Sequence, residues 1–220
     1  MIIITHSWQK SQEKEYPKGW EEGTDLKAYT KLPESHKGKQ IARIELERSK
    51  VLSRLIKTVQ AVLAVLLLAI GCLFLAPSEL TNMKDPFEHL TALMLGMISV
   101  SIVQELTRGF LMRIISGVKP TLRFSGAYLH AGCEAYFPRR EEQLLNLSPL
   151  LFFTVVLLVI FFSVPDVSWK WMVWIVFTVN ICFGVGYGYA SMRFAQMPAD
   201  ILVMNLGPTY LVYSAHTDEN

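Results

Sequence analysis

Long uncharged stretches alternate with short charged ones along this chain. Between Lys57 and Glu79 lie 21 residues without a charge, and between Glu88 and Glu105 another 16. Between Glu142 and Asp166 there are 23, and between Lys170 and Arg193 there are 22. A membrane-crossing helix needs about 20 mostly apolar residues. The pattern therefore predicts four spans, at roughly 57–76, 90–115, 147–164 and 170–192. The second differs from the others, because Glu105 and Arg108 lie inside it. Met1 to Ile4 is too short for a signal-peptide core and lacks a basic lead, so the first span is expected to be an uncleaved anchor.

Outside the spans the pattern changes. Residues 1–40 are polar and carry Pro17, Gly19, Gly23, Pro33 and Gly38, which predicts loose order. Ile41 to Ile56 places apolar residues at helical spacing and predicts a basic helix running into the first span. Thr121–Phe124, Ala127–His130 and Glu134–Phe137 are short β-type runs split by Gly126 and Gly132, and predict a small hairpin. Ile201–Val203 and Tyr210–Tyr213 flank Leu206-Gly207-Pro208 and predict a second. The expected fold is mainly α, a four-span helical membrane protein with small cytoplasmic β segments. Its divisions are a basic N-terminal segment (1–53), a membrane domain (54–192) with a β insertion near 119–138, and a C-terminal tail (193–220).

Composition supports this. Of 220 residues, 51% are hydrophobic and 18% charged, against about 25% charged in ordinary soluble domains. A net charge of +2 is too small to indicate nucleic acid. Three scattered cysteines make no disulfide framework. Lys and Arg distribute as 12 before the first span, then 1, 6, 1 and 1 in the successive connections and tail. That alternation places both termini in the cytoplasm of a multi-pass cell-membrane protein. Trp169, Trp171 and Trp174 belong at the outer interface.

Ionisable residues inside a span are costly and are functional candidates by default. The second span reads Gln104-Glu105-Leu106-Thr107-Arg108-Gly109. Gln104 and Arg108 are one helical turn apart, with Glu105 beside the first. In His-Glu-x-x-His, that spacing lets two imidazoles bind zinc while the glutamate activates the bound water. Here the glutamate remains and both histidine positions are changed. Taken alone, the residues also fit an i,i+3 ion pair between Glu105 and Arg108 that lowers the cost of both.

A wider order of pieces follows: Gly126-Ala127-Tyr128-Leu129-His130, Cys133-Glu134-Ala135-Tyr136-Phe137-Pro138-Arg139, Leu147-Ser148-Pro149, Asn180, Gly186-Tyr187, Pro198-Ala199-Asp200-Ile201-Leu202-Val203 and Leu211-Val212-Tyr213. From about residue 88 to 214 this order resembles a bacterial family of integral membrane zincin peptidases, related in plan to site-2 proteases. Members carry His-Glu-(Leu/Phe)-x-His-Gly at the end of a span, a β segment, and a basic stretch before a span opening Leu-x-Pro. A last span follows with Asn and Gly-Asp, then Pro and a β tail ending Val-Tyr. The resemblance implies that the aspartate of Gly-Asp is the third metal ligand, and counting back from Pro198 places it at Tyr187. Depth agrees: Glu105 is eight residues before Arg113, about 12 Å, and Tyr187 six before Arg193, about 9 Å. Asp200 is the rival, as a true carboxylate, but lies beyond Pro198.

The positions matching zinc ligands thus read Gln104, Arg108 and Tyr187. Zinc takes Cys, His or carboxylate donors, so the expected cofactor is none, and Glu105 is left as a vestigial general base. His130, Cys133 and Glu134 are spaced as an alternative metal set. His6, His36, His89 and His216 are isolated and suit surface or interface roles. Gly184 with Gly188, and Gly186 with Ala190, form small-residue faces for helix packing, and Asn180 suits an interhelical hydrogen bond. Three functions stay open. The first is a non-catalytic relative of membrane zinc peptidases that binds a peptide or a membrane partner. The second is an active membrane metallopeptidase with unusual ligands, which would need zinc. The third is an unrelated small membrane assembly or transport subunit.

Overall fold

The computed structural model describes residues 28–36, 40–46, 50–81, 85–125 and 128–214. Among the described residues four helices are long and apolar enough to cross a membrane: α1 (Lys50–Phe74), α3 (Pro86–Ser116), α4 (Arg139–Ser163) and α5 (Val167–Ala195). A short α2 (Ser78–Thr81) lies between the first two. Local chemistry sets several ends. Pro86 opens α3, where its missing N–H costs nothing. Gly117 closes it with φ 70°, its N–H donating to the Arg113 carbonyl. Asp166 caps α5, accepting from the Trp169 N–H at 3.1 Å. Only Val164, Pro165 and Asp166 separate α4 from α5, so the two run antiparallel and in long contact.

All the strands lie at one end of this bundle. There α1 begins, α3 ends, α4 begins and α5 ends. Strands β2 (Thr121–Ser125) and β3 (Tyr128–Gly132) form an antiparallel hairpin. A second sheet has the order β1-β6-β5-β4, from Gln40–Glu45, Thr209–Tyr213, Leu202–Asn205 and Tyr136–Pro138. Its registers include Ile44 with Tyr210, Val203 with Val212, and Phe137 with Val203. The Cys133 N–H donates to the Asn205 carbonyl at 2.7 Å and joins the hairpin's exit to this sheet.

Two cores lie at the strand end. Ile44, Tyr210 and Val212 pack with Ala190 and Phe194 of α5. Met112, Cys133, Phe137 and Leu145 fill the space between α3, β4 and α4. At the far end Trp171 and Met172 pack with Leu75, Trp169 and Trp174. The outer faces of the helices remain apolar and exposed, at Leu73, Phe74, Phe110, Phe152 and Phe162 among others.

The structure corrects three expectations. Gln40–Glu45 is a strand, not the start of a basic helix, and α1 begins only at Lys50. The edge of β6 supplies Ile44 with long-range pairing and a buried place, and that outweighs helical spacing. Glu134–Phe137 leaves the hairpin: Tyr136–Pro138 pairs with β5. His36 and His89 are buried, at 1% and 7% exposure. His36 donates from Nε2 to the Asp200 carbonyl at 2.9 Å, and His89 stacks on Trp169. Residues 1–27 of the N-terminal segment, His6, Gly126, Ala127 and His216 lie outside the described residues.

Candidate polar cluster between the helices

The Gln-Glu-Leu-Thr-Arg turn of α3 faces the interior. Gln104, Glu105 and Arg108 are 8%, 6% and 1% exposed, beside lipid-length apolar neighbours such as Val103 and Leu106 that point outward. The i,i+3 and i,i+4 offsets put all three polar groups on the face that meets α4 and α5.

Each group finds its partner on a different element. Glu105 accepts from the Tyr187 hydroxyl of α5 at Oε1 and from the Ala131 N–H of β3 at 2.7 Å at Oε2. Arg108 Nη1 is 3.8 Å from Glu105 Oε2, and Nη2 is 3.7 Å from Oε1 of Glu142, a fully buried carboxylate on α4. Nη2 also donates to Asn146 Oδ1 at 2.7 Å and to the Tyr210 hydroxyl at 3.0 Å. The guanidinium lies over the Tyr187 ring, 4.4 Å from its centre, a favourable cation–π placement. Glu142 is held in turn by Asn205 Nδ2 at 2.6 Å, and Asn205 Oδ1 receives the Gly207 N–H. One network therefore runs from α3 through α4 to the β5–β6 turn. Burial of the Tyr210 phenol pushes its pKa up to about 12, which keeps it neutral as a donor to Asn146.

Deeper in the bundle, Gln104 donates to Asn180 Oδ1, and Asn180 Nδ2 donates to Thr154 Oγ1 at 3.0 Å, tying α3, α5 and α4 together. Gly184 lets α5 approach Leu150 of α4, where a Cβ would lie 3.1 Å from Leu150 Cγ. Gly188 does not share that role: a Cβ there meets nothing within 4 Å. The cleft among these groups is also walled by Pro149 and Leu150, and its solvent-sized space is about 10 Å³, enough for one water. Arg108 Nε and Nη1 and Asn146 Nδ2 have no hydrogen-bond partner among the described residues.

Asp200 stands apart from this cluster. It is 6% exposed and accepts from Ser214 Oγ at 2.9 Å in the strand-end layer. Among the described residues no three His, Cys, Asp or Glu side chains converge on a possible metal position, so His130, Cys133 and Glu134 are not brought together as one. The residues at the positions compared with zinc ligands do not fit zinc. Gln104 is engaged with Asn180, Tyr187 spends its proton on Glu105, and Arg108 puts a cation where a cation would bind.

Glu142, Asn146, Tyr210 and the Ala131 N–H complete the cluster, and sequence reasoning passed over them. A signal existed for two: Glu142 and Asn146 are four apart at the start of a span, so they share a helix face. Nothing local marks Tyr210 or Ala131. Compared with family models, curated proteins and solved structures, the chain has no match.

Proposed function

We propose that this chain is a multi-pass membrane protein built on the plan of the zincin membrane peptidases, that it does not cut, and that it works by binding a membrane partner. Four apolar helices with apolar outer faces support insertion in the bilayer, since soluble proteins rarely expose contiguous apolar patches beyond a few hundred Å². The basic residues gathered at the strand end support a cytoplasmic position for that end and for both termini.

One observation carries the non-catalytic reading. The Arg108 guanidinium lies between Glu105 and Glu142, while both oxygens of Glu105 accept from other donors. A general base in a metallopeptidase works on a water acidified by its metal. Here the carboxylate is tied to a cation, a phenol and a backbone amide, so it serves as a structural anion. Space for one water leaves no room for an extended peptide in the closed cleft, which favours a partner at the bundle's surface over a peptide within it.

The test is to rebuild the zinc site. The triple variant Q104H/R108H/Y187D is expected to retain about one zinc per chain after chelator dialysis, as read by atomic spectroscopy, while the parent chain retains none. Zinc in the parent chain that is lost on Glu105→Gln, together with peptide cleavage, would overturn the non-catalytic reading. A folded triple variant that binds no zinc would overturn the peptidase plan and leave an unrelated assembly or transport subunit.

A further inference from the structure

The strand end of α1 carries an exposed basic face that the polar cluster does not use. Lys50, Ser53, Arg54, Lys57 and Thr58 line it, and Ala61 and Val62 continue it into the apolar stretch. Lys50, Arg54, Lys57 and Ala61 follow at steps of four, three and four, with Ser53, Thr58 and Val62 beside them, so they share one face of the helix. A different face meets α5, where Gln60 donates to the Cys182 carbonyl and Trp174 donates to the Leu67 carbonyl. Lys50, Arg54 and Lys57 are exposed, and none has an ion-pair partner among the described residues.

We infer that this face is a binding site for the headgroup of an anionic phospholipid. From Lys50 to Lys57 the helix rises about 10 Å, enough to cross the roughly 5–8 Å headgroup layer of one leaflet. Three exposed cations along that rise, with the Ser53 hydroxyl between Lys50 and Arg54, match a phosphodiester's charge and acceptor oxygens, while the Thr58 hydroxyl donates to the Arg54 carbonyl at 2.9 Å. Directly below, Ala61 is small and Val62 is 55% exposed, which leaves an apolar track for an acyl chain. Each basic residue near an anionic surface strengthens the attraction several-fold, so three together support a preference of at least tenfold for an anionic lipid.

The inference rests on the membrane reading above, and the two can fail separately. Release of the chain from membranes by alkaline carbonate would overturn both. For a chain that stays inserted, native mass spectrometry of the detergent-solubilised full chain compares phosphatidylglycerol with phosphatidylcholine of the same acyl chains. Phosphatidylglycerol adducts are expected to exceed the others at least tenfold. K50Q/R54Q/K57Q should bring the ratio within twofold of unity, while the charge-preserving K50R/R54K/K57R keeps it. R113Q/K119Q/R123Q, which removes as many cations elsewhere, should also keep it. No preference in the parent chain, or equal loss in the two neutralised variants, would overturn the site.

Discussion

The Tyr187 hydroxyl donates to Glu105 Oε1 across the α3–α5 interface, between residues 82 apart in sequence. That contact gives a carboxylate in the bundle's interior a neutral partner. Tyr187→Phe removes the donor and keeps the ring under Arg108. A hydrogen bond to a charged group contributes about 1.5–3 kcal/mol, so a fall in stability within that range is expected from denaturant unfolding in detergent. A change under about 0.5 kcal/mol would mean that Ala131 and Arg108 satisfy Glu105 without the phenol.

Arg108 is the most sensitive position. Arg108→Met leaves Glu105 and Glu142 buried without their shared cation, and breaking a buried pair this way costs about 3–5 kcal/mol. Arg108→Lys keeps the charge but loses the planar fork that reaches Asn146 and Tyr210, so its loss should be intermediate. R108M combined with E105Q and E142Q should recover much of the stability, because no uncompensated charge then remains. Equal losses for the single and combined variants would show that packing, not charge, sets the cost.

Two glycines should respond oppositely to alanine. At Gly132 a Cβ would lie 2.8 Å from the Leu206 carbonyl carbon and 2.9 Å from the Gly207 nitrogen. Backbone cannot move aside there without parting the hairpin from the β5–β6 turn, so Gly132→Ala should cost about 1–3 kcal/mol. At Gly188 nothing lies within 4 Å, so Gly188→Ala should be neutral or gain up to about 1 kcal/mol from helix propensity. Thermal melts of the two variants in one detergent make the comparison.

Tyr210 gives a pH prediction. Its folded pKa is raised to about 12 by burial, above the ordinary phenol value of about 10. The unfolded chain therefore loses this proton first as pH rises. The stability this group contributes is complete below about pH 10 and is lost as pH climbs through about 12. The difference in phenolate absorbance between parent and Tyr210→Phe should rise near pH 12; a rise near pH 10 would place the phenol in water.

The helices were legible because their signals are local. A run of apolar side chains without a charge acts within a few residues. The β5–β6 hairpin was legible for the same reason, through Leu206-Gly207-Pro208 and the short apolar runs beside it. The strand at Gln40–Glu45 was not. Its own residues fit a helix, and only the open edge of β6 made pairing preferable.

The sequence by itself determined four apolar helices and the placing of Gln104, Glu105 and Arg108 on one face, since helical periodicity is fixed by bonds between near neighbours. Tertiary structure alone decided how the buried charges are balanced. Arg108 meets Glu142 and Asn146 on α4 and Tyr210 on β6, the last 102 residues away. A buried charge must find its counter-charge and hydrogen bonds in space, and no spacing along the chain encodes which distant groups the fold will bring there.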